Sequence, residues 1–285
     1  MKNNIPYVFF GTSEFSVYIL DELLNANFKP QLIVTTPDKP KGRKLILTPS
    51  PVKQWAIKNN IPLLQPTKLS DPIFISKLSA LNSPIFIIAS YGKILPKTIL
   101  DIPARGILNI HPSLLPKLRG AAPLETSILE DIRDTGVSIM RIDEEMDHGP
   151  IVAQEKACLS EWPMRLDKLE EILGKQGGAL LTKILPDWNN EAIKPTEQKH
   201  SEATYTKKIT KQDGLLDLTT DPYKNFLKIQ AFYGWPGTYF FIEHKEKKIR
   251  VNISEASYKT GVLTIIKVIP EGKKEMKYED FLRGL

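Results

Sequence analysis

Apolar and polar positions follow two different rhythms along the chain, and the place where one gives way to the other divides it. From Tyr7 to Trp188, short apolar runs at Tyr7–Phe10, Leu32–Thr35, Ile85–Ala89, Gly106–Ile110 and Val137–Ile142 alternate with segments whose apolar residues recur every three or four positions. The runs predict strands buried on both faces, and the longer spacing predicts amphipathic helices. Phe15, Ile19, Leu20, Leu23 and Leu24 mark the first helix, with Ser13 as its N-cap. Ser50-Pro51 opens a second helix through Ile57, Asp71-Pro72 a third to Leu81, and Pro123–Leu129 a short fourth. Leu166–Trp188 predicts a long helix in which Gly174, Gly177 and Gly178 are weak points. Strand–helix alternation predicts an α/β, Rossmann-like, mostly parallel sheet with helices on both faces. Ligands of such sheets bind beyond the carboxyl ends of the strands, where the loops after Phe10, Thr35, Ala89 and Ile110 lie.

Beyond Trp188 the rhythm changes. Residues 189–206 are polar, lack a period and include Pro195, which predicts an interdomain linker. A helical pattern at Pro222–Phe232 then leads into WPGTYFFIEHKEKKIRVNI, two alternating runs about a basic turn that predict a hairpin, and Thr260–Val268 is a third β-rich run. The expected division is a domain over 1–188, a linker over 189–206 and a small, mostly β domain over 207–285.

Composition narrows the class. The chain has 285 residues, 41% hydrophobic and 25% charged, as in ordinary globular proteins, and its length suits two domains. Cys158 is the single cysteine, so neither an intrachain disulfide nor a multi-thiolate metal site is possible; this fits a reducing cytosol, and no metal is expected. The apolar run near the N-terminus is too short for a signal peptide and meets Glu14 at once, and no stretch approaches the roughly 20 apolar residues of a membrane span. A cytoplasmic monomer is expected. Net charge is +6 and unevenly placed: 207–285 holds 15 Lys and Arg against 10 Asp and Glu, and Lys39, Lys41, Arg43, Lys44, Lys53 and Lys58 face only Asp38 in a second cluster. Two separated basic regions suit a polyanionic partner.

The chemistry gathers in GILNIHPSLLPKLRGAAP, residues 106–123. Asn109 and His111 are two apart, so on a strand continuing to His111 both side chains leave one face of the pleat, just before Pro112 ends it. A neutral amide and a group that titrates near neutrality suit a reaction that develops an oxyanion and moves a proton. Gly11-Thr12 begins no GxGxxG pattern, which disfavours a dinucleotide site.

FFGTSEF, TTPDKPKGRKLILTPSPVK, ASYGKILP, ILNIHPSLLPKLRGAAP, DEEMDHGPIVAQ and QAFYGWPGTYF together resemble the methionyl-tRNA formyltransferases, within the wider group of folate-dependent formyltransferases. The resemblance runs in that family's order over residues 7–241. It implies transfer of a formyl group from 10-formyltetrahydrofolate to the α-amino group of methionine on initiator tRNA. It also implies Asn109 as oxyanion donor, His111 as general base or oxyanion stabiliser, and Asp147 as the partner of His111, with Asp143, Glu144 and Glu145 read as an exposed acidic loop. Ser113, Leu114, Leu115 and Pro116 match a folate-contacting turn, and Ala89, Tyr91, Gly92 and Leu95 a wall for the pterin. Arg43 matches a tRNA-contacting arginine, with Lys39, Lys41 and Lys44 placed to meet phosphates. Two features depart from the family: His148 stands where a small residue is expected, and the C-terminal domain has room for only about three strands, a reduced OB-like barrel. A formyltransferase acting on a sugar nucleotide or glycinamide ribonucleotide could use the same Asn, His and Asp but has less use for the basic loop and tail. A noncatalytic RNA-binding module has no use for the three reactive residues.

Overall fold

The computed structural model describes residues 5–41, 45–245 and 247–285. In chain order the strands are β1 (Tyr7–Gly11), β2 (Leu32–Val34), β3 (Lys39–Lys41), β4 (Ile46–Thr48), β5 (Leu63–Leu64), β6 (Ile85–Ala89), β7 (Ile107–His111), β8 (Arg119–Gly120), β9 (Gly136–Arg141), β10 (Ile151–Lys156), β11 (Tyr205–Thr206), β12 (Thr238–His244), β13 (Lys247–Lys259), β14 (Val262–Pro270) and β15 (Met276–Lys277). The helices are α1 (Glu14–Asn25), α2 (Pro51–Lys58), α3 (Pro72–Ala80), α4 (Lys97–Leu100), α5 (Pro123–Leu129), α6 (Leu166–Asn189), α7 (Pro222–Ala231) and α8 (Tyr278–Arg283).

The chain forms two compact units that interleave in sequence. The first comprises the described part of Met1–Ala121 with Asp134–Cys158 and Glu170–Tyr205; the second comprises Ala122–Arg133, Leu159–Leu169 and Thr206–Leu285. The stretch expected as a linker, residues 189–206, falls almost wholly within the first unit.

The first unit holds a seven-stranded sheet in the order β10-β9-β7-β6-β1-β2-β5. Strands β5, β2, β1, β6 and β7 run parallel, and β9 is antiparallel to both its neighbours. The predicted apolar runs are its central strands, and every residue of β1 and β6 is buried. Val8, Phe10, Phe86, Ile88 and Ile107 pack with Phe74 and Leu78 of α3 in one core. Ser50 and Asp71 cap α2 and α3 through the amides of Lys53 and Ile73. Ser13 occupies the N-cap position of α1 without bonding to it, and its buried hydroxyl has no partner among the described residues; Glu170 instead accepts from the Phe15 amide at 3.0 Å.

The glycines of α6 are points of close approach rather than weakness. A Cβ at Gly174 would sit 2.8 Å from Tyr18, at Gly177 2.8 Å from Ile110 of β7, and at Gly178 2.5 Å from Glu22. Contacts this short are overpacked, so the bare backbone lets α6 lie against α1 and β7.

The second unit is built on an antiparallel sheet, β12-β13-β14-β15, one strand more than expected because Met276–Lys277 adds to the edge of β14. Among the described residues it stays an open sheet, not a closed barrel. Leu216, Ile229 of α7, Phe240, Val251, Val268 and Phe281 of α8 form its core. Arg165 stacks 3.8 Å from the ring centre of Tyr233, and Asp131 accepts from Trp162 and Tyr223 at 2.7 and 3.1 Å.

Candidate functional site

Strand β7 pairs with β6 through Ile88 and Asn109, and with β9 through Asn109–Met140 and His111–Ser138, so the backbone at Asn109 is held on two sides and that at His111 on one. The two residues share one face, as the strand period requires. Because β9 runs antiparallel to β7, the loop after it starts beside the amino end of β7, where the Ile142 amide bonds to Ile107 O at 2.9 Å. It returns to bring Asp147 to the same face. Asn109 Nδ2 donates to Asp147 Oδ1 at 3.4 Å, and His111 Nδ1 lies 3.7 Å from Asp147 Oδ2. The amide of Gly120 donates to that same Oδ2 at 2.7 Å.

His111 is buried, and its Nε2 lies 2.9 Å from Leu118 O. A carbonyl only accepts, so Nε2 carries a proton, and Nδ1 is the nitrogen that faces Asp147. Leu118 and Asp147 both have positive φ, 59° and 50°, a conformation that aspartate tolerates and that is unusual for leucine. At Leu118 the backbone is held: its amide donates to Thr204 Oγ1 at 2.9 Å and that of Arg119 to Thr204 O at 2.9 Å.

The turn Ser113–Pro116 spends its polar groups internally. Ser113 Oγ donates to Lys117 O at 2.6 Å, and Ser138 Oγ donates to Ser113 O at 2.6 Å while accepting from the Leu115 amide at 3.0 Å. Gln154 Nε2 completes the brace at Leu115 O, 2.9 Å, and Ser138 Oγ, 2.8 Å. The turn is therefore a fixed wall with Leu114 half-buried against Gly136.

In the segment after β6, Ala89, Tyr91 and Leu95 are buried and only Gly92 of the four is exposed. Ala89 O accepts from Ser16 Oγ at 2.6 Å and Tyr91 O from Thr12 Oγ1 at 3.2 Å. Tyr91 packs edge-on against Phe10 with ring centres 5.5 Å apart, and burial pushes its hydroxyl up to about 12. Gly92 has φ 74° and open space around it, so conformation, not crowding, calls for glycine.

The expected loop Thr36–Pro49 contains a short hairpin, β3 against β4, with Lys39 exposed at its start. Arg43 and Lys44 lie outside the described residues, as does the side chain of Lys41. Asp38, at the base, accepts from Gln65 at 2.8 Å and pairs with Lys53 at 2.7 Å, and these bonds hold its carboxyl below the usual value.

In the acidic loop, Glu144 and Glu145 are exposed as expected, but Asp143 is half-buried and bonded to His148 Nδ1 at 2.7 Å. The His148 ring stacks on His200 with centres 4.0 Å apart. Among the described residues, no group of three His, Cys, Asp or Glu converges as a metal site, and no helix is long and apolar enough to cross a membrane.

Sequence reasoning missed the residues that hold the site in place: Ser138, Gln154, Arg119, Thr204 and Gln198. Arg119 and Gln154 lie inside recognised motifs and Ser138 inside a predicted strand, whereas Gln198 and Thr204 sit in a stretch with no periodic signal.

A family model described as formyl transferase matches residues 4–185. The chain is 36% identical over 294 residues to a methionyl-tRNA formyltransferase of Thermodesulfovibrio yellowstonii, covering 97% of this chain and 95% of that protein. To a methionyl-tRNA formyltransferase of Bacillus subtilis it is 35% identical over 298 residues, covering 97% and 94%. Among solved structures, a methionyl-tRNA formyltransferase from Clostridium thermocellum matches with a TM-score of 0.63 at 15% identity, over 96% of this chain and 99% of the other. HypX from Aquifex aeolicus in complex with tetrahydrofolic acid matches with a TM-score of 0.66 at 16% identity, over 97% of this chain and 46% of the other. At those identities the two structures speak for the fold alone.

Proposed function

We propose a division of labour for a chain that belongs to the methionyl-tRNA formyltransferase family: Asn109, His111 and Asp147 carry the reaction, and the basic regions carry the tRNA. The reaction is transfer of a formyl group from 10-formyltetrahydrofolate to the free α-amino group of methionyl-initiator tRNA, giving N-formylmethionyl-tRNA for translation initiation. The observation that carries the assignment is the approach of both Asn109 Nδ2 and His111 Nδ1 to one carboxylate, that of Asp147.

The folate supplies the formyl carbon, bonded to N10. As the amine nitrogen adds to that carbon, negative charge gathers on the formyl oxygen, and Asn109 Nδ2 is the donor for it; one such donor is worth about 2.7–4 kcal/mol of barrier. The nitrogen must then shed a proton. With Nε2 committed to Leu118 O, Nδ1 is the nitrogen of His111 that accepts it, and Asp147 Oδ2 faces the resulting imidazolium. When the carbon parts from N10, the same proton passes from His111 to N10, so His111 ends as it began.

The turn Ser113, Leu114, Leu115, Pro116 and the exposed Gly92 form the folate wall, with Ala89, Tyr91 and Leu95 supporting it from the core. Lys39, Lys41, Arg43 and Lys44 meet the acceptor end of the tRNA, and the basic second unit meets its phosphates. The protein acts as a cytoplasmic monomer. The test supplies 10-formyltetrahydrofolate with charged initiator tRNA and an amino-sugar nucleotide as competing acceptors. Formyl should accumulate on the tRNA-bound methionine; formyl on the sugar overturns the acceptor assignment.

A further inference from the structure

Arg119 is a buried cation in an unusual setting. It is 2% exposed, and among the described residues its hydrogen-bonding partners are all neutral: Gln198 Oε1 from Nε at 3.2 Å and Nη2 at 2.6 Å, His200 Nδ1 from Nη2 at 2.9 Å, and the Tyr205 hydroxyl from Nη1 at 3.3 Å. A guanidinium taken out of water without a counter-charge is costly to keep. Its main acceptor, Gln198, is itself 5% exposed, and the other end of that amide donates to Asp147 O at 2.9 Å and Gly149 O at 2.7 Å.

All four hydrogen-bonding valences of the Gln198 side chain are thus filled, two as acceptor and two as donor. A guanidinium can only donate and a carbonyl can only accept, so each side of the amide dictates the orientation of the other. An amide turned end for end would set N–H against Arg119 and oxygen against two carbonyls. Asp147 meanwhile adopts φ 50° and holds its carboxylate toward His111 with the Gly120 amide on Oδ2. Arg119 and Gly120, consecutive in sequence, therefore grip Asp147 twice, once at its main chain through Gln198 and once directly at its side chain.

We propose that Gln198, oriented by Arg119, is a positioning residue for formyl transfer: it fixes the main chain at Asp147 so that the carboxylate faces His111. The inference rests on Asp147 having the role given above. Gln198 and Arg119 touch neither substrate, and their influence passes through the geometry of one loop. A displacement of about 1 Å in such a group can cost on the order of 10²-fold in rate.

The experiment uses the full chain and compares Gln198→Glu, Asp147→Asn and the double variant in formyl transfer from 10-formyltetrahydrofolate to methionyl-initiator tRNA, with thermal unfolding alongside. Gln198→Glu keeps the shape of the side chain and the oxygen that accepts both bonds from Arg119, but replaces the two N–H donors with oxygen facing carbonyls. Its expected kcat is lower by about 10²-fold, with KM for both substrates within about threefold and a melting temperature at or above that of the wild type. In the Asp147→Asn background the same change should cost less than about twofold, because the group it positions is already gone. Gln198→Met, which removes the amide while filling its volume, should show the same dependence on Asp147. Wild-type kcat in Gln198→Glu and Gln198→Met, or losses that multiply in full in the double variant, would overturn the proposal while leaving Asp147 in place. An Asp147→Asn enzyme with wild-type turnover would overturn the role of Asp147 and the positioning proposal together.

Discussion

The Asn109–His111 end of β7 and the sheet of the second unit use polar residues in opposite ways. Around Asn109 and His111 the polar groups are mostly buried or half-buried, and each is tied to a named partner: Nε2 of His111 to Leu118 O, Ser138 to the 113–116 turn, Gln198 to Arg119 and Asp147. On the second unit, lysines such as Lys247, Lys273 and Lys274 stand exposed on strand ends and turns. In the first region the identity of each residue matters, since a lost partner leaves a buried group unsatisfied. In the second, under the proposed contact with tRNA, only the sum of charge matters, because exposed cations act on a polyanion through counterion release.

The contrast is tested most severely at His111. Replacing it with Ala should lower kcat by on the order of 10²- to 10⁴-fold without preventing folding, and Asn109→Ala should cost about 10²- to 10³-fold. Near-normal turnover in either variant would mean that identity does not matter there. An intermediate effect is expected for Lys247→Ala combined with Lys274→Ala. The magnitude of the slope of log affinity for tRNA against log salt should fall by about 1 to 2, while turnover at saturating tRNA stays the same. A salt dependence identical to the wild type would remove these lysines from the interface.

The smallest effect marks the limit of the contrast inside the first unit. Asp38 and Lys53 form a named pair, yet both side chains remain partly exposed, so they should behave like the second unit. The Asp38 carboxyl is held low by Gln65 and Lys53. Its contribution to stability is therefore present above the unfolded value of about 4 and disappears as pH falls through the lower folded value. The melting-temperature difference between wild type and Lys53→Met should be slight at pH 6 and shrink as the pH is taken below the unfolded value of about 4; a gap that widens in acid would contradict the assignment.

The same contrast explains what could be seen in the sequence. The central strands were legible because each is mostly apolar, Ile85–Ala89 without interruption, and Asn109 and His111 because their spacing places them on one strand face. Gly174, Gly177 and Gly178 were misleading, since helix propensity counts the missing side chain as a loss and cannot register that Tyr18, Ile110 and Glu22 need the space. Gln198 was hidden for a different reason. Its partners are a guanidinium 79 residues away and two main-chain carbonyls about 50 residues away, and carbonyls leave no trace in side-chain pattern. The hairpin β3–β4 and the edge strand β15 are two or three residues long, too short for a period to show.

The threading of the second unit constrains how this enzyme can be taken apart. Helix α5, with Pro123, Leu124 and Ile128 buried, belongs with α7 although about ninety residues separate them. A chain stopped at Thr206 would retain α5 and 159–169 but lose the tail they pack with, leaving sticky apolar surface in place of a clean catalytic half. The tail is thus no detachable appendage, and exchanging it between relatives would require grafting three separate stretches at once.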